Sequence, residues 1–153
     1  MKILGINIAS HDTSAALIVN GELICAFEEE RFNKKKHTKA FPINAVNECL
    51  KVSKLKINAI DYIAVSTDPK RQIRKFWLEG ALKHDHRLKM MLEEKENIKN
   101  FYDIEDLIRK NLKFNNKIKY YKHHLNHLSS SYYPSNFKKA LVVSYDGVGE
   151  GET

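Results

Sequence analysis

Asn20-Gly21 sits between two apolar runs, Thr13 to Val19 before it and Leu23 to Phe27 after it. In that setting Asn-Gly is the strongest short hairpin signal a sequence carries, because a two-residue turn needs positive φ at both central positions. A third run, Lys2 to Ile8, precedes the pair across the turn-prone Ala9-Ser10-His11-Asp12. The chain therefore opens as a three-strand meander, and any fold assigned to it must contain one.

From Phe41 the period changes. Pro42 suits a first helical position, and Ile43, Val46, Cys49, Leu50 and Leu55 recur at helical spacing. Ile60 to Thr67 reads as a fourth strand closed by Asp68-Pro69. Arg71 to about Leu112 reads as two or three charged helices with a break near Asn97 to Asn100. Lys117 to Tyr121 is a fifth strand, HHLNHLSSSYY is helix-like, and Ala140 to Tyr145 is a sixth strand running into Asp146-Gly147-Val148-Gly149-Glu150-Gly151. The order predicts an α/β fold, the ribonuclease-H-like half-domain of the actin, sugar-kinase and heat-shock ATPase superfamily, with a mixed sheet flanked by helices. Residues 1–139 form that subdomain on this reading, and 140–153 begin a second, incomplete one. The chain thus reads as the truncated N-terminal piece of a longer protein.

With 42% hydrophobic residues, 6 Gly and 3 Pro in 153, the composition is that of a globular chain without an obvious linker. The formal charge of +7 raises a polyanion as partner. Lys far outnumbers Arg, however, and Arg gives the bidentate contacts of a reading face, so nucleic acid is not the expected ligand. Asn7, His11 and Asp12 interrupt the first apolar run too early for a signal peptide, and no stretch approaches the ~18 apolar residues of a membrane span. The expected compartment is the cytoplasm. Cys25 and Cys49 lie in apolar stretches without C-x-x-C spacing and read as small buried hydrophobes.

His123-His124-Leu125-Asn126-His127 places three of the seven histidines in five residues. On a helix, His123 and His127 share a face one turn apart, a spacing suited to a divalent metal, while His124 points elsewhere. Solvent-facing histidines on an amphipathic helix would give the same spacing. Asp146 ends an apolar strand before Gly147 and Gly149, where open α/β sheets place functional groups and where glycines let a backbone approach phosphate. An ordinary Asp-Gly turn is the alternative. His11 and Asp12 lie in the first loop, placed to contact nucleotide or acceptor, or Asp12 makes an Asx turn. The acidic-then-basic run Glu28 to His37 is either an anion site or a solvated loop with internal ion pairs.

Taken together, GINIASHDTSAALIVNGELICAFEEERFNKKKHTKAFP and HHLNHLSSSYYPSNFKKALVVSYDGVGE resemble the N-terminal domain of the O-carbamoyltransferase family of nodulation-factor and antibiotic biosynthesis. The first carries that family's H-D-x-x-A-A-L, G, E-E-R-F, K-H and F-P pattern; the second carries H-H-x-x-H, an apolar strand and D-G-V-G-E. The helical middle adds nothing. The resemblance implies two steps: carbamoyl phosphate and ATP give carbamoyl adenylate at a separate C-terminal domain, and the carbamoyl group then moves to a small-molecule hydroxyl acceptor. It implies a divalent metal, iron, zinc or manganese, on His123, His127 and Asp146, with a further carboxylate from sequence this chain lacks. It also implies Gly147 and Gly149 near the nucleotide phosphates, and His11 with Asp12 as the catalytic pair lining the acceptor or adenylate pocket. The domain is similar to the protein that threonylcarbamoylates tRNA, which uses an equivalent histidine pair.

Three other readings remain at this level: a relative of that tRNA-modifying protein, a phosphotransferase of the ATPase superfamily, and a non-catalytic nucleic-acid-binding domain. The first hairpin lacks the D-x-G-T loop of the phosphotransferases, and only charge suggests the last.

Overall fold

In the computed structural model, which describes residues 1–147, the three opening runs form strands β1 (Lys2–Asn7), β2 (Ser14–Val19) and β3 (Glu22–Glu28), each antiparallel to the next. Asn20 and Gly21 take φ of 52° and 91°, the positive pair that the tight turn requires. Strands β4 (Tyr62–Val65) and β5 (Lys117–Tyr120) add parallel to β1 on its other side, giving the order β3-β2-β1-β4-β5. The result is a five-stranded mixed sheet flanked by helices.

Alternation decides which face of the sheet is closed. Leu4 and Ile6 of β1, Ala15 and Leu17 of β2, and Ile63 and Val65 of β4 are buried, and they meet Ala45, Val46 and Cys49 of helix α2 (Ile43–Val52). A short helix α1 (Glu30–Asn33) leads from β3 into the loop before α2. Phe101, Ile104, Ile108, Leu112 and Phe114 complete the core from the helical excursion. The opposite face carries small residues, Gly5, Ala16, Ala26 and Ala64, which line an open depression of about 500 Å³.

The excursion is cut differently from the pattern read in the sequence. It runs as α3 (Pro69–Gln72), a π-helical segment Ile73–Leu78, α4 (Glu79–Ala81), α5 (Asp85–Glu93), α6 (Lys95–Tyr102) and α7 (Ile104–Leu112). The expected break at Asn97 to Asn100 falls inside α6. Phe101 is buried and Ile98 packs against the core, so that face holds the helix together through two asparagines. Pro42 stands one place earlier than expected, as the residue before α2. Helix α8 (His123–Tyr132) follows β5 as the spacing predicts.

Two further expectations are corrected. Ala140 to Tyr145 forms no strand: Leu141, Val143 and Tyr145 are 92%, 77% and 98% exposed, alternating as a strand does but with no neighbour among the described residues to complete a ladder. The run Glu28 to His37 is not wholly a solvated loop either. Glu28 and Arg31 do pair on the surface at 3.1 Å, but Glu29 is 1% exposed and its carboxylate accepts from Asn44 Nδ2 at 2.6 Å and from the Ala45 N–H at 2.9 Å. Those donors belong to the first turn of α2, whose preceding residue, Pro42, offers no side-chain cap.

Cys49 is buried and Cys25 partly so. Burial first, then a hydrogen bond with Cys25, pushes the Cys49 thiol up to about 12. The native chain is therefore expected to leave Cys49 unmodified by a thiol reagent at neutral pH while Cys25 reacts slowly; fast labelling of Cys49 without denaturant would contradict its place between α2 and β2. Among the described residues no helix is long and apolar enough to cross a membrane.

Candidate metal centre

The carboxyl ends of β1, β4 and β5 converge, and the loops leaving them build one pocket. Asn7 ends β1 and braces the loop after it, its Nδ2 donating to the Asp12 carbonyl at 2.9 Å while its Oδ1 accepts from Ser66 Oγ at 2.8 Å. Asn126 of α8 donates to the Ser66 carbonyl at 2.7 Å, which ties the histidine helix to the end of β4. Neither Asn7 nor Asn126 was singled out from sequence as a site residue, although each interrupts an apolar or histidine-rich run. The cavity between these loops measures about 300 Å³ and is lined by residues that include His11, Asp12, Thr67, His123, His127 and Asp146.

Three ligand-type atoms meet there. His123 Nε2 lies 2.9 Å from His127 Nε2 and 2.9 Å from Asp146 Oδ2, and the third edge, His127 Nε2 to Asp146 Oδ2, is 3.5 Å. An imidazole Nε2 has one position to use, a hydrogen or a lone pair, so no placement of protons gives both short contacts at His123 a hydrogen bond of its own. A cation between the three atoms resolves this. Ligands about 2.1 Å from a divalent ion stand roughly 3.0 to 3.4 Å apart in octahedral or tetrahedral geometry, and the observed edges match that spacing. Two imidazoles and a carboxylate suit iron, zinc or manganese. His123, His127 and Asp146 therefore fit the metal that the sequence resemblance implies.

Burial tends to raise the Asp146 carboxyl, but the Gly147 N–H and the hydrogen bond from His123 outweigh it and hold the group below the ordinary carboxylate value. Asp146 thus stays anionic through the mildly acid range, and because protons compete with the ion for its ligands, metal affinity is expected to rise with pH. The Gly147 N–H donates to Asp146 Oδ1 at 2.7 Å. Gly149 lies outside the described residues.

His124 does not point away as the helical spacing suggests. Its Nε2 is buried without a hydrogen-bond partner among the described residues and stands 3.9 Å from Asp146 Oδ2, beside the triangle but not part of it. His127→Ala is expected to weaken Zn²⁺ binding by ~100-fold or more, and His124→Ala by ~10-fold, the low end of the 10–100-fold range that follows removal of an outer-layer group. Equal losses in a chelator-competition titration would contradict the assignment of roles.

On the facing wall, Asp12 makes no Asx turn. Its Oδ2 meets His11 Nδ1 at 2.6 Å and its Oδ1 meets His37 Nδ1 at 2.9 Å. The two imidazoles, His11 first, hold the Asp12 carboxyl below its ordinary value.

Residues 2–153 match the family described as Carbamoyltransferase N-terminus. Among similar proteins, an uncharacterised protein of Synechocystis sp. is 33% identical over 99% of this chain and 26% of its own length. An uncharacterised protein of Methanocaldococcus jannaschii is 32% identical over 97% of this chain and 23% of its own. Nodulation protein NolNO of Sinorhizobium fredii is 28% identical over 94% of this chain and 20% of its own. The chain spans about a quarter of the length of these relatives.

Proposed function

The chain belongs to the carbamoyltransferase N-terminus family, and from that premise we propose that its metal centre serves the transfer of a carbamoyl group from carbamoyl adenylate to the hydroxyl of a small acceptor. The observation that carries the proposal is the convergence of His123, His127 and Asp146 in a pocket whose other wall holds a His-Asp pair. The order β3-β2-β1-β4-β5, with one antiparallel and one parallel flank, supports the ribonuclease-H-like half-domain reading of the fold. The exposed alternation of Leu141, Val143 and Tyr145 supports a second subdomain beginning at residue 140.

A divalent ion on the three ligands supplies a Lewis acid for the carbamoyl carbonyl or the adjacent phosphate. The protein's own groups do the rest. His11, whose Nδ1 is engaged by Asp12, receives the acceptor's hydroxyl proton at Nε2. The hydroxyl oxygen bonds to the carbamoyl carbon, the bond from that carbon to the adenylate phosphate oxygen breaks, and AMP leaves with its electron pair. The loop walls braced by Asn7 and Asn126 hold His11 and the metal ligands at fixed separation, so both ends of the reacting pair are oriented before they meet.

The carbamoyl adenylate is made from carbamoyl phosphate and ATP in a separate domain of a longer protein. The 153-residue chain alone is accordingly expected to release no pyrophosphate from those substrates at ordinary enzymatic rates, on the order of 1 per second. Release that disappears in His123→Ala would place adenylate formation within these residues. The transfer itself is tested by supplying radiolabelled carbamoyl phosphate, ATP, Mn²⁺ and a panel of small hydroxyl compounds to the protein in its full reading frame. Label is expected on a hydroxyl compound of the panel with wild type and not with His123→Ala; equal labelling by both would remove the metal centre from the reaction.

A further inference from the structure

We infer that His37 is a positioning residue for the proposed transfer, holding Asp12 so that Asp12 in turn keeps His11 with a hydrogen on Nδ1 and a bare Nε2. The purpose of this relay rests on the carbamoyl-transfer reading, but its geometry does not. One carboxylate serves two imidazoles, with contacts of 2.6 Å to His11 and 2.9 Å to His37, both through Nδ1. These are the lengths of charge-assisted hydrogen bonds to a carboxylate, which can only accept, so both rings carry their hydrogen on Nδ1. That tautomer is the minor one of a free imidazole. It is the one a proton acceptor at Nε2 needs.

The need for a second clamp follows from exposure. The Asp12 side chain is 40% exposed, so with His11 as its sole partner water would compete for both oxygens and the carboxylate would turn freely. His37 fixes Oδ1 and leaves Oδ2 aimed at His11. His37 is itself fixed, its N–H donating to Glu30 Oε2 at 3.1 Å in α1, and its ring stands edge to face with that of His11. His11 and Asp12 line the cavity that contains the metal ligands, and His37 does not. It therefore acts through Asp12, from the loop that returns after β3, without touching substrate.

The experiment is a two-bond ¹H–¹⁵N correlation spectrum of the 153-residue chain without metal at about pH 8.5, well above the ordinary imidazole range. It reads which ring nitrogen of each histidine bears hydrogen. Wild type is expected to show Nδ1–H at both His11 and His37. His37 has φ of 54°, a left-handed conformation that Gly and Asn tolerate, so two variants keep the backbone and differ only in the donor. In His37→Gly the ratio of Nδ1–H to Nε2–H at His11 is expected to fall roughly threefold or more. In His37→Asn, whose amide can donate to Asp12 from the same place, it is expected to stay near wild type. An unchanged ratio in His37→Gly overturns the inference. So does Nε2–H at His11 or His37 in wild type, a reading that needs no variant to fold. Acceptor labelling by the full reading frame is scored separately: its absence, with the tautomers as expected, counts against the transfer reading and leaves the relay standing.

Discussion

Alanine at position 123 is expected to lower the affinity of the chain for Zn²⁺ or Mn²⁺ by ~100-fold or more, because losing even an outer-layer partner of a ligand costs 10–100-fold. His123 is the apex of the triangle, with its Nε2 at 2.9 Å from both other ligand atoms. Its removal leaves His127 and Asp146 3.5 Å apart with no third donor between them. Calorimetric titration of wild type and His123→Ala with each ion checks this, and matched affinities would mean that the ion sits elsewhere. Acid should act in the same direction, because protons compete with the ion for its ligands.

The second large effect concerns stability. Glu29→Ala is expected to destabilise the chain by about 2–4 kcal/mol, since it strips a buried carboxylate from two donors and leaves the Ala45 N–H unpaired at a buried helix start. Burial alone would make an ionised Glu29 unfavourable. The 2.6 Å bond from Asn44 and the 2.9 Å bond from the Ala45 N–H, aided by the positive end of α2, offset that cost. For a domain of this size the midpoint of thermal unfolding should fall by roughly 5–15 °C. Glu29→Gln keeps an acceptor and should lose about half as much. A fall of under 1 °C in Glu29→Ala would contradict the capping role.

What was legible in the sequence was what neighbours along the chain decide. Asn20-Gly21 announces its hairpin because the turn's φ values are a property of those two residues. His123 and His127 announce a shared face because four residues make about one helical turn. Interactions between distant segments were harder to see. Glu29 looks like one charge among three until α2 places Asn44 and Ala45 in front of it, and His37 looks like the end of a basic run until the loop brings it to Asp12. The apolar alternation of Leu141 to Tyr145 announces a strand, but a strand also needs a partner, and no ladder forms there among the described residues. Asn97 and Asn100 look like a break because local propensity was weighed without the anchoring of Ile98 and Phe101 in the core. Asp146 stands out in the sequence from its place before two glycines, and its approach to the histidines follows from the family resemblance and not from spacing.

The most direct test of the metal centre is a crystal of the chain grown with Zn²⁺ and measured on both sides of the zinc absorption edge. The account predicts one anomalous peak about 2.0–2.2 Å from His123 Nε2, His127 Nε2 and Asp146 Oδ2 together. A triangle that stays closed and empty while zinc binds at other residues would contradict it.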